Sequence, residues 1–291
     1  MKIYAVGPAG SYGMHVAARV NQESVAPILP QNIHPCTDHT DVFESLLADT
    51  DIHSIGVVAI ENSIHGLVGE VANFWMSHPT RSLKVIGERR MRIYHRLLVR
   101  PEVSTIQFIE QVMSHAQALG QCSRYLDSVA ITTRIPVAST AHAAEYIARN
   151  ELAGNMAAIA SEYAAKIYGL KVMTHTSIAN HPHNTTRFHI VSRTNGSLGL
   201  ESKTALIFWT KNVPGALAKV LQCFADAGRN ISSLHSIPLG TLGTYAFYCE
   251  VDHSLHDADG SGFIVQTLAK VTEKVRIIGS FLKYSRAIVQ V

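Results

Sequence analysis

Over the first two-thirds of the chain, short apolar runs alternate with stretches whose apolar residues recur every three or four positions. Runs at 2–7, 55–60, 111–113, 156–160 and 189–191 are bounded by turn residues and predict strands. The stretch 83–100 predicts one long strand or two, and 129–133 with 137–138 predict short extended pieces. Helical spacing predicts a helix from Tyr12 to about Val20 capped by Ser11. It predicts others opening at Asp41 (Val42, Leu46 and Leu47 on one face), over 66–77, and from Ser114-His115 through Leu126. Two more follow, 141–149 behind a Ser139-Thr140 cap and one from Ser161-Glu162 to Gly169. Strands alternating with helices in this way argue an α/β unit built on mainly parallel sheet.

The pattern changes after a polar stretch, 192–202, whose Ser, Thr, Asn and Gly content makes it a linker. Beyond it come a strand at 204–210, a turn at Asn212-Val213-Pro214-Gly215, and a helix at 216–227 with Leu217, Val220, Leu221 and Phe224 on one face. Strands at 230–237 and 244–251, a helix at 262–274 and a last strand at 276–284 complete the order β-α-β-β-α-β. That is a ferredoxin-like split unit. Its edge strands, with Phe208, Trp209, Phe247 and Tyr248 as apolar surface, predict self-association.

At 291 residues with 47% hydrophobic and 16% charged residues, the chain is long enough for two globular domains. A net charge of +3 without a Lys/Arg cluster argues against a nucleic-acid partner. The N-terminus lacks a signal-peptide layout and no apolar run approaches a membrane span, so a cytoplasmic protein with no membrane partner is expected. The four cysteines are widely separated, as expected of reduced, mostly core residues. Sixteen histidines raise the question of metal, but only His181 and His183 are closely spaced and no Cys or carboxylate pair joins them. No metal is expected.

Five predicted strand ends carry small polar residues that also begin a helix: Gly10-Ser11, Asn62-Ser63, Ser114-His115, Ser139-Thr140 and Ser161-Glu162. In open α/β sheets ligands lie outside the carboxyl ends of the strands, where helix N-termini favour anions. Asn184-Thr185-Thr186-Arg187-Phe188 adds two hydroxyls, an amide and a guanidinium at the mouth of another strand. Arg187 is suited to hold a carboxylate through two parallel hydrogen bonds, and a hydroxyl beside such an anchor can give a proton to a bound substrate. No phosphate loop or dinucleotide fingerprint is present.

Taken together, Gly7-Pro8-x-Gly10-Ser11-Tyr12, Ile60-Glu61-Asn62-Ser63 with Gly66, the run 114–122, Ser139-Thr140-Ala141 with Ala143-Ala144, and Asn184-x-Thr186-Arg187-Phe188 occur in an order that resembles the prephenate dehydratase family. In the C-terminal part, Gly215-Ala216-Leu217 is similar to that family's regulatory motif. The resemblance implies a catalytic domain over 1–194, with two lobes like a periplasmic binding protein, a cleft between them, and crossings near Arg92 and Thr174. An ACT regulatory domain over 203–291 would follow, in a homodimer or homotetramer.

The activity implied is a lyase reaction of phenylalanine biosynthesis. Prephenate loses carbon dioxide and its ring hydroxyl to give phenylpyruvate, without a cofactor because aromatisation drives it. Carried over by motif, Thr186 is the hydroxyl nearest the leaving group, with Glu61, Asn62, Ser114 and Gln121 as catalytic partners. Glu61 is a further proton source if burial raises its pKa. Arg187, Phe188, Ser11, Ser139 and Thr140 are the substrate-binding set. Asn212, Gly215, Ala216, Leu217, Asn230 and Ser236 are the set for an amino-acid effector. Ala116 replaces the family's usual proline, Gly13 a hydroxyl residue, and Leu234-His235-Ser236-Ile237-Pro238 a Glu-Ser-Arg-Pro motif, so phenylalanine control is expected to differ. The alternatives are an arogenate dehydratase and a non-catalytic, amino-acid-sensing binding protein.

Overall fold

The computed structural model describes residues 1–24, 27–78, 82–150, 152–195, 202–255 and 262–283. Residues 196–201 of the expected linker and Tyr284 of the expected last strand lie outside them. Among the described residues the chain folds as mixed α/β around three sheets.

The first sheet has the order β2-β1-β3-β11-β5, formed by Ile33–Cys36, Ile3–Val6, Ile55–Asn62, Thr185–Ser192 and Lys84–Arg92, with β4 (Gly66–Leu67) paired to β3. The second has the order β10-β6-β9-β7-β8: Lys171–Val172, Arg96–Val99, Met156–Ala160, Gln111–Ser114 and Thr133–Pro136. The expected 83–100 segment is therefore two strands in two sheets, with the chain crossing between Arg92 and Arg96. It returns between β10 and β11. Neither sheet is mainly parallel. β1 pairs in parallel with β2 and β3, whereas β11 runs antiparallel to both β3 and β5. β9 and β7 are parallel, but β6 is antiparallel to β9 and to β10. The antiparallel pairs adjoin the crossings: a strand arriving from the other lobe enters from the opposite end, and hydrophobic periodicity does not encode direction.

Helix boundaries follow their caps. Ser11 caps α1 (Tyr12–Glu23) by accepting Met14 N–H, and Ser139 caps α6 (Thr140–Arg149) by accepting His142 N–H. Asp38 rather than Asp41 caps α2 (His39–Ala48), leaving Asp41 in its first turn, where a carboxylate favours the dipole. The expected helix at 66–77 begins only at Gly69, as α3 (Gly69–Ser77), because Gly66-Leu67 is held as strand. The expected helix through Leu126 breaks at Cys122 into α4 (Ala116–Gln121) and α5 (Ser123–Ser128). Ala130 at φ 59 turns the chain, so the extended piece expected at 129–133 shifts to β8. Ser161 caps α7 (Glu162–Tyr168), which Gly169 closes at φ 67.

The third sheet, β13-β14-β12-β15, comprises Ile231–Pro238, Tyr245–Val251, Ser202–Trp209 and Lys274–Leu282, all antiparallel. With α8 (Ala216–Asp226) and α9 (Gly262–Val271) it gives the β-α-β-β-α-β order expected from the sequence. One face packs Leu206, Phe208, Cys249 and Val251 with Val220 and Phe224 of α8 and Leu268 of α9. The opposite face is not open. Ala205, Ile207, Ile237, Ala246 and Tyr248 join one buried cluster with Val58, Ile60, Phe74 and Trp75 of the first sheet and α3. Gly279 marks the closest approach: a Cβ there would lie 2.2 Å from Val85 O, so only glycine lets β15 cross β5 at this distance.

Candidate active site

A cleft of about 360 Å³ lies between the first and second sheets, walled by β-strand ends and helix starts from both. Ser11, Tyr12, Asn62, Thr186 and Phe188 face it from the first lobe; His115, Gln121, Ser139 and Thr140 face it from the second. His95, on the crossing segment, and Asn184, on the return, complete it. Gly13 is also in the wall. A Cβ there would meet Val6 O at 2.9 Å, so glycine lets α1 sit tightly on β1 beside the cleft. No Lys or Arg is among the described residues that line it. The positive elements at the wall are instead the N-terminal ends of α1 and α6, where backbone N–H groups carry a partial positive charge.

A directed chain of hydrogen bonds runs across this cleft. Asn62 Oδ1 accepts the backbone N–H groups of Ile64 (3.0 Å) and His65 (3.2 Å), and those donors fix which end of the amide is oxygen. Asn62 Nδ2 therefore donates to Asn184 Oδ1 (2.8 Å) and to Thr186 Oγ1 (3.0 Å). Asn184 Nδ2 then donates to Gln121 Oε1 (3.0 Å), which also takes the His95 Nε2 proton (2.9 Å). Gln121 Nε2 donates to His65 Nε2 at 2.7 Å. His95 is almost fully buried, and that burial lowers its pKa against the opposing bond to Gln121, so the ring is neutral with its proton on Nε2. Thr186 Oγ1 is thus an acceptor from Asn62, and no acceptor among the described residues takes its own proton. That hydroxyl is left to donate into the cleft.

The expected site residues divide. Thr186, Asn62, Gln121, Phe188, Ser11, Ser139 and Thr140 come together around the cleft. Ser11 spends its proton on Val6 O at 2.6 Å while capping α1. Three residues do not face the cleft. Ser114 is buried and donates to Ile159 O at 2.6 Å, tying β7 to β9. Glu61 and Arg187 neighbour Asn62 and Thr186 in sequence, and side chains alternate along a strand, so they emerge on the other face of the sheet. There Arg187 is buried. Its Nη2 and Nε reach Glu61 Oε2 at 2.8 and 3.2 Å, and its Nη1 reaches both oxygens of Glu250 at 2.7 and 2.8 Å. Ser161 and Ser63 likewise leave the expected row of anion-binding starts: Ser161 Oγ donates to Gly10 O, and Ser63 begins no helix.

The sequence did not single out His95, and it quoted Tyr12, His115 and Asn184 only as parts of motifs. His95 falls between Tyr94 and Arg96 in a run that already carries several charged residues, so no local signal set it apart. In the third sheet, Gly215 sits at φ 77 before α8 with Asn212 exposed nearby and Ala216 and Leu217 half-buried. Asn230 Nδ2 donates to Asp252 Oδ2 (3.0 Å), and Ser236 is exposed on β13. Ile237 is buried against the first lobe, and His235 Nε2 lies 3.8 Å from Glu61 Oε1. The two residues that depart from the Glu-Ser-Arg-Pro motif thus face the first lobe.

Two α/β lobes with a polar, hydroxyl- and amide-lined cleft, carrying a further βαββαβ sheet, define a protein that handles a small polar ligand between its lobes. Among the described residues no group of three His, Cys, Asp or Glu is placed to hold a metal ion, and no helix is long and apolar enough to cross a membrane. Residues 3–196 match the family model of prephenate dehydratase, and the chain belongs to that family. A bifunctional chorismate mutase/prephenate dehydratase of Stutzerimonas stutzeri is 30% identical over 288 residues, covering 97% of this chain and 73% of the relative. An arogenate dehydratase/prephenate dehydratase of Arabidopsis thaliana is 31% identical over 259 residues, covering 85% and 65%. Among solved structures, the prephenate dehydratase of Arthrobacter aurescens in complex with L-Phe superposes with a TM-score of 0.83 at 26% identity, covering 100% of this chain and 93% of that one. A structure described as a novel type of quorum-quenching acylase gives 0.80 at 26% identity, with 98% coverage of each chain.

Proposed function

We infer that this protein is a prephenate dehydratase and that the inter-lobe cleft is where the reaction runs. The observation that carries the reading is the direction of the hydrogen-bond chain: Asn62 donates to Thr186 Oγ1, leaving the Thr186 proton free. Prephenate must lose its ring carboxylate as carbon dioxide and its ring hydroxyl as water. The electrons of the breaking carbon–carbon bond flow into the ring as the carbon–oxygen bond breaks, and one proton must reach the departing oxygen. Thr186 supplies or relays that proton, and Asn62 steadies the oxygen from which it leaves. No cofactor is needed, because aromatisation drives the step. The substrate's negative charge is met by the starts of α1 and α6 and by Thr140 rather than by a guanidinium. Phe188 supplies an apolar surface for the ring. Arg187 and Glu61, both committed on the far face, serve the site from behind it.

The catalytic domain spans 1–194 with the two-lobed, periplasmic-binding-protein-like architecture, and 203–291 is an ACT domain. Its exposed β13 edge is the surface for pairing with a second copy, as a homodimer or homotetramer. An amino-acid effector is received at the start of α8, by Gly215, Ala216 and Leu217 with Asn212, Asn230 and Ser236 as polar partners. The likeness to an acylase draws attention to Ser139 Oγ, 3.0 Å from His142 Nδ1. That oxygen already accepts His142 N–H as the cap of α6, so a local capping role accounts for the pair. The deciding experiment supplies prephenate and arogenate separately and measures phenylpyruvate and phenylalanine. Turnover of prephenate, lost by roughly 10²–10⁴-fold in Thr186→Val with the fold retained, is expected. Turnover of arogenate alone would assign the aminated substrate, and no product from either would leave a binding protein.

A further inference from the structure

We propose that Glu250, on β14 of the third sheet, is a positioning residue for the dehydration, holding Thr186 and Asn62 in place through Arg187 and Glu61. The proposal rests on the dehydratase reading of the cleft and adds to it a residue some 60 positions beyond Thr186 in the chain, on the other side of the sheet. Four residues make the geometry. Thr186 pairs with Asn62 across β11 and β3, and the next pair along is Arg187 with Glu61. The register then slips, between Arg187 and Phe188. A bulge interrupts the regular ladder and leaves local geometry to whatever else holds the strands. Here the holder is a side chain: the Arg187 fork spans Glu61 on one side and Glu250 on the other.

Glu250 is fully buried, and its carboxylate is the hub of the cluster. Besides Arg187 it receives Lys203 Nζ at 2.6 Å, His189 Nε2 at 3.3 Å and the Tyr248 hydroxyl. Burial alone would raise its pKa; the hydrogen bond from His189 and the charges of Arg187 and Lys203 hold it well below the usual carboxylate range. It is therefore a fixed anion. Arg187 cannot turn toward the cleft while that anion holds it, and Glu61 cannot leave Arg187 without stranding part of the guanidinium fork. The backbone atoms of Arg187 and Glu61 are continuous with Thr186 and Asn62, whose 3.0 Å contact sets the aim of the catalytic hydroxyl. The third sheet, on this argument, contributes to catalysis without touching the cleft.

The test uses the full chain. Glu250→Gln keeps the shape and removes the anion. Its kcat should fall by roughly ten- to a hundredfold, as misplacement of a reacting group by about 1 Å does, with KM within about threefold of wild type. A second variant, Arg187→Met with Glu250→Leu, removes one buried charge of each sign, leaves Lys203 beside Glu88 at 3.6 Å, and should be more stable than Glu250→Gln, since an apolar pair can replace a buried ion pair. It should not recover kcat. If Glu250→Gln does not fold, this double variant decides alone. Wild-type kcat in Glu250→Gln, or recovery of kcat together with stability in the double variant, would show Glu250 to be a packing residue and overturn the proposal. Wild-type turnover measured alongside separates the two questions: no wild-type turnover of prephenate defeats the dehydratase reading and this inference with it, whereas an active wild type with unaffected variants defeats this inference alone.

Discussion

Replacing Asn62 by aspartate exchanges one NH2 for an oxygen and changes little else, so it tests the direction of the hydrogen-bond chain. One oxygen of the new carboxylate stays with the N–H groups of Ile64 and His65, now at 3.0 and 3.2 Å from the amide oxygen. The other falls where Nδ2 now lies, 3.0 Å from Thr186 Oγ1 and 2.8 Å from Asn184 Oδ1. Thr186 must then turn its proton onto the carboxylate. A hydrogen bond to a charged group contributes about 1.5–3 kcal/mol, which must be given up each time the proton is offered to substrate. The two oxygens facing each other force Asn184 to rotate, at the expense of its 3.0 Å bond to Gln121, for about 1 kcal/mol more. Together these amount to about 2.5–4 kcal/mol, a loss in kcat of roughly 10²–10³ at a tenfold change per 1.36 kcal/mol. Asn62→Ala removes a donor without capturing the Thr186 proton, so it should be less damaging than aspartate. The measurement is steady-state formation of phenylpyruvate from prephenate by both variants at pH 7.5, with circular dichroism to establish folding. An aspartate variant within threefold of wild type, or an alanine variant worse than the aspartate, would refute the assigned polarity.

Two further outcomes are expected. Burial lowers the pKa of His15 to about 4 and lowers those of His39, His95 and His189 as well, so the unfolded chain, whose histidines titrate near 6.5, binds more protons below that pH. Stability present above pH 6.5 should be lost as pH falls toward 5, well before Asp49, held at about 2, is protonated; an unchanged urea midpoint between pH 7.5 and 5 would contradict this. Phenylalanine should inhibit weakly or not at all, because Ile237 and His235 face the first lobe instead of offering a cation and an anion to an amino acid. Calorimetry with phenylalanine, tyrosine and tryptophan checks this, and tight, strongly inhibiting phenylalanine would show that the two substitutions do not matter.

Much of the fold was legible because its signals are local. Apolar patterns located most strands and helices, though not β2 with its internal proline or the two-residue β4 and β10, and Ser11, Ser139, Ser161 and Gly169 marked helix ends through bonds made within a few residues. Strand direction was not legible, since β11 reads the same whether it enters parallel or antiparallel to β3. Asp38 and Asp41 lie three apart and are equally good caps on paper; the backbone chose Asp38. Of the hydroxyl and amide residues quoted by motif, Ser11, Asn62, Gln121, Ser139, Thr140 and Thr186 line the cleft and Ser114 does not. The wrong-facing pair, Glu61 and Arg187, was misplaced because chemical type was weighed without the alternation of side chains. That alternation was itself legible: if Thr186 and Phe188 face the ligand, Arg187 between them does not. The buried anion that holds Arg187 was out of reach, because Glu250, itself bound by Lys203, meets it only through the packing of one sheet on another.

Arg187 and Thr186 show how one short motif carries two jobs. A strand presents alternate residues to opposite sides, so five consecutive residues supply three to one face and two to the other. Asn184, Thr186 and Phe188 go to the cleft; Arg187 goes to the buried charges beneath the third sheet. The separation has an electrostatic consequence. A guanidinium in the cleft would attract the substrate's carboxylates strongly in the ground state, including the one that must depart as neutral carbon dioxide. Its charge would oppose the flow of electrons out of that group. Helix starts and hydroxyls bind an anion with partial charges, and they lose less when the negative charge leaves the carboxylate. A cleft without Lys or Arg thus suits a decarboxylating elimination better than the carboxylate anchor expected from sequence, and the one arginine of the motif is used where a permanent charge is an asset, in fixing the strand behind Thr186.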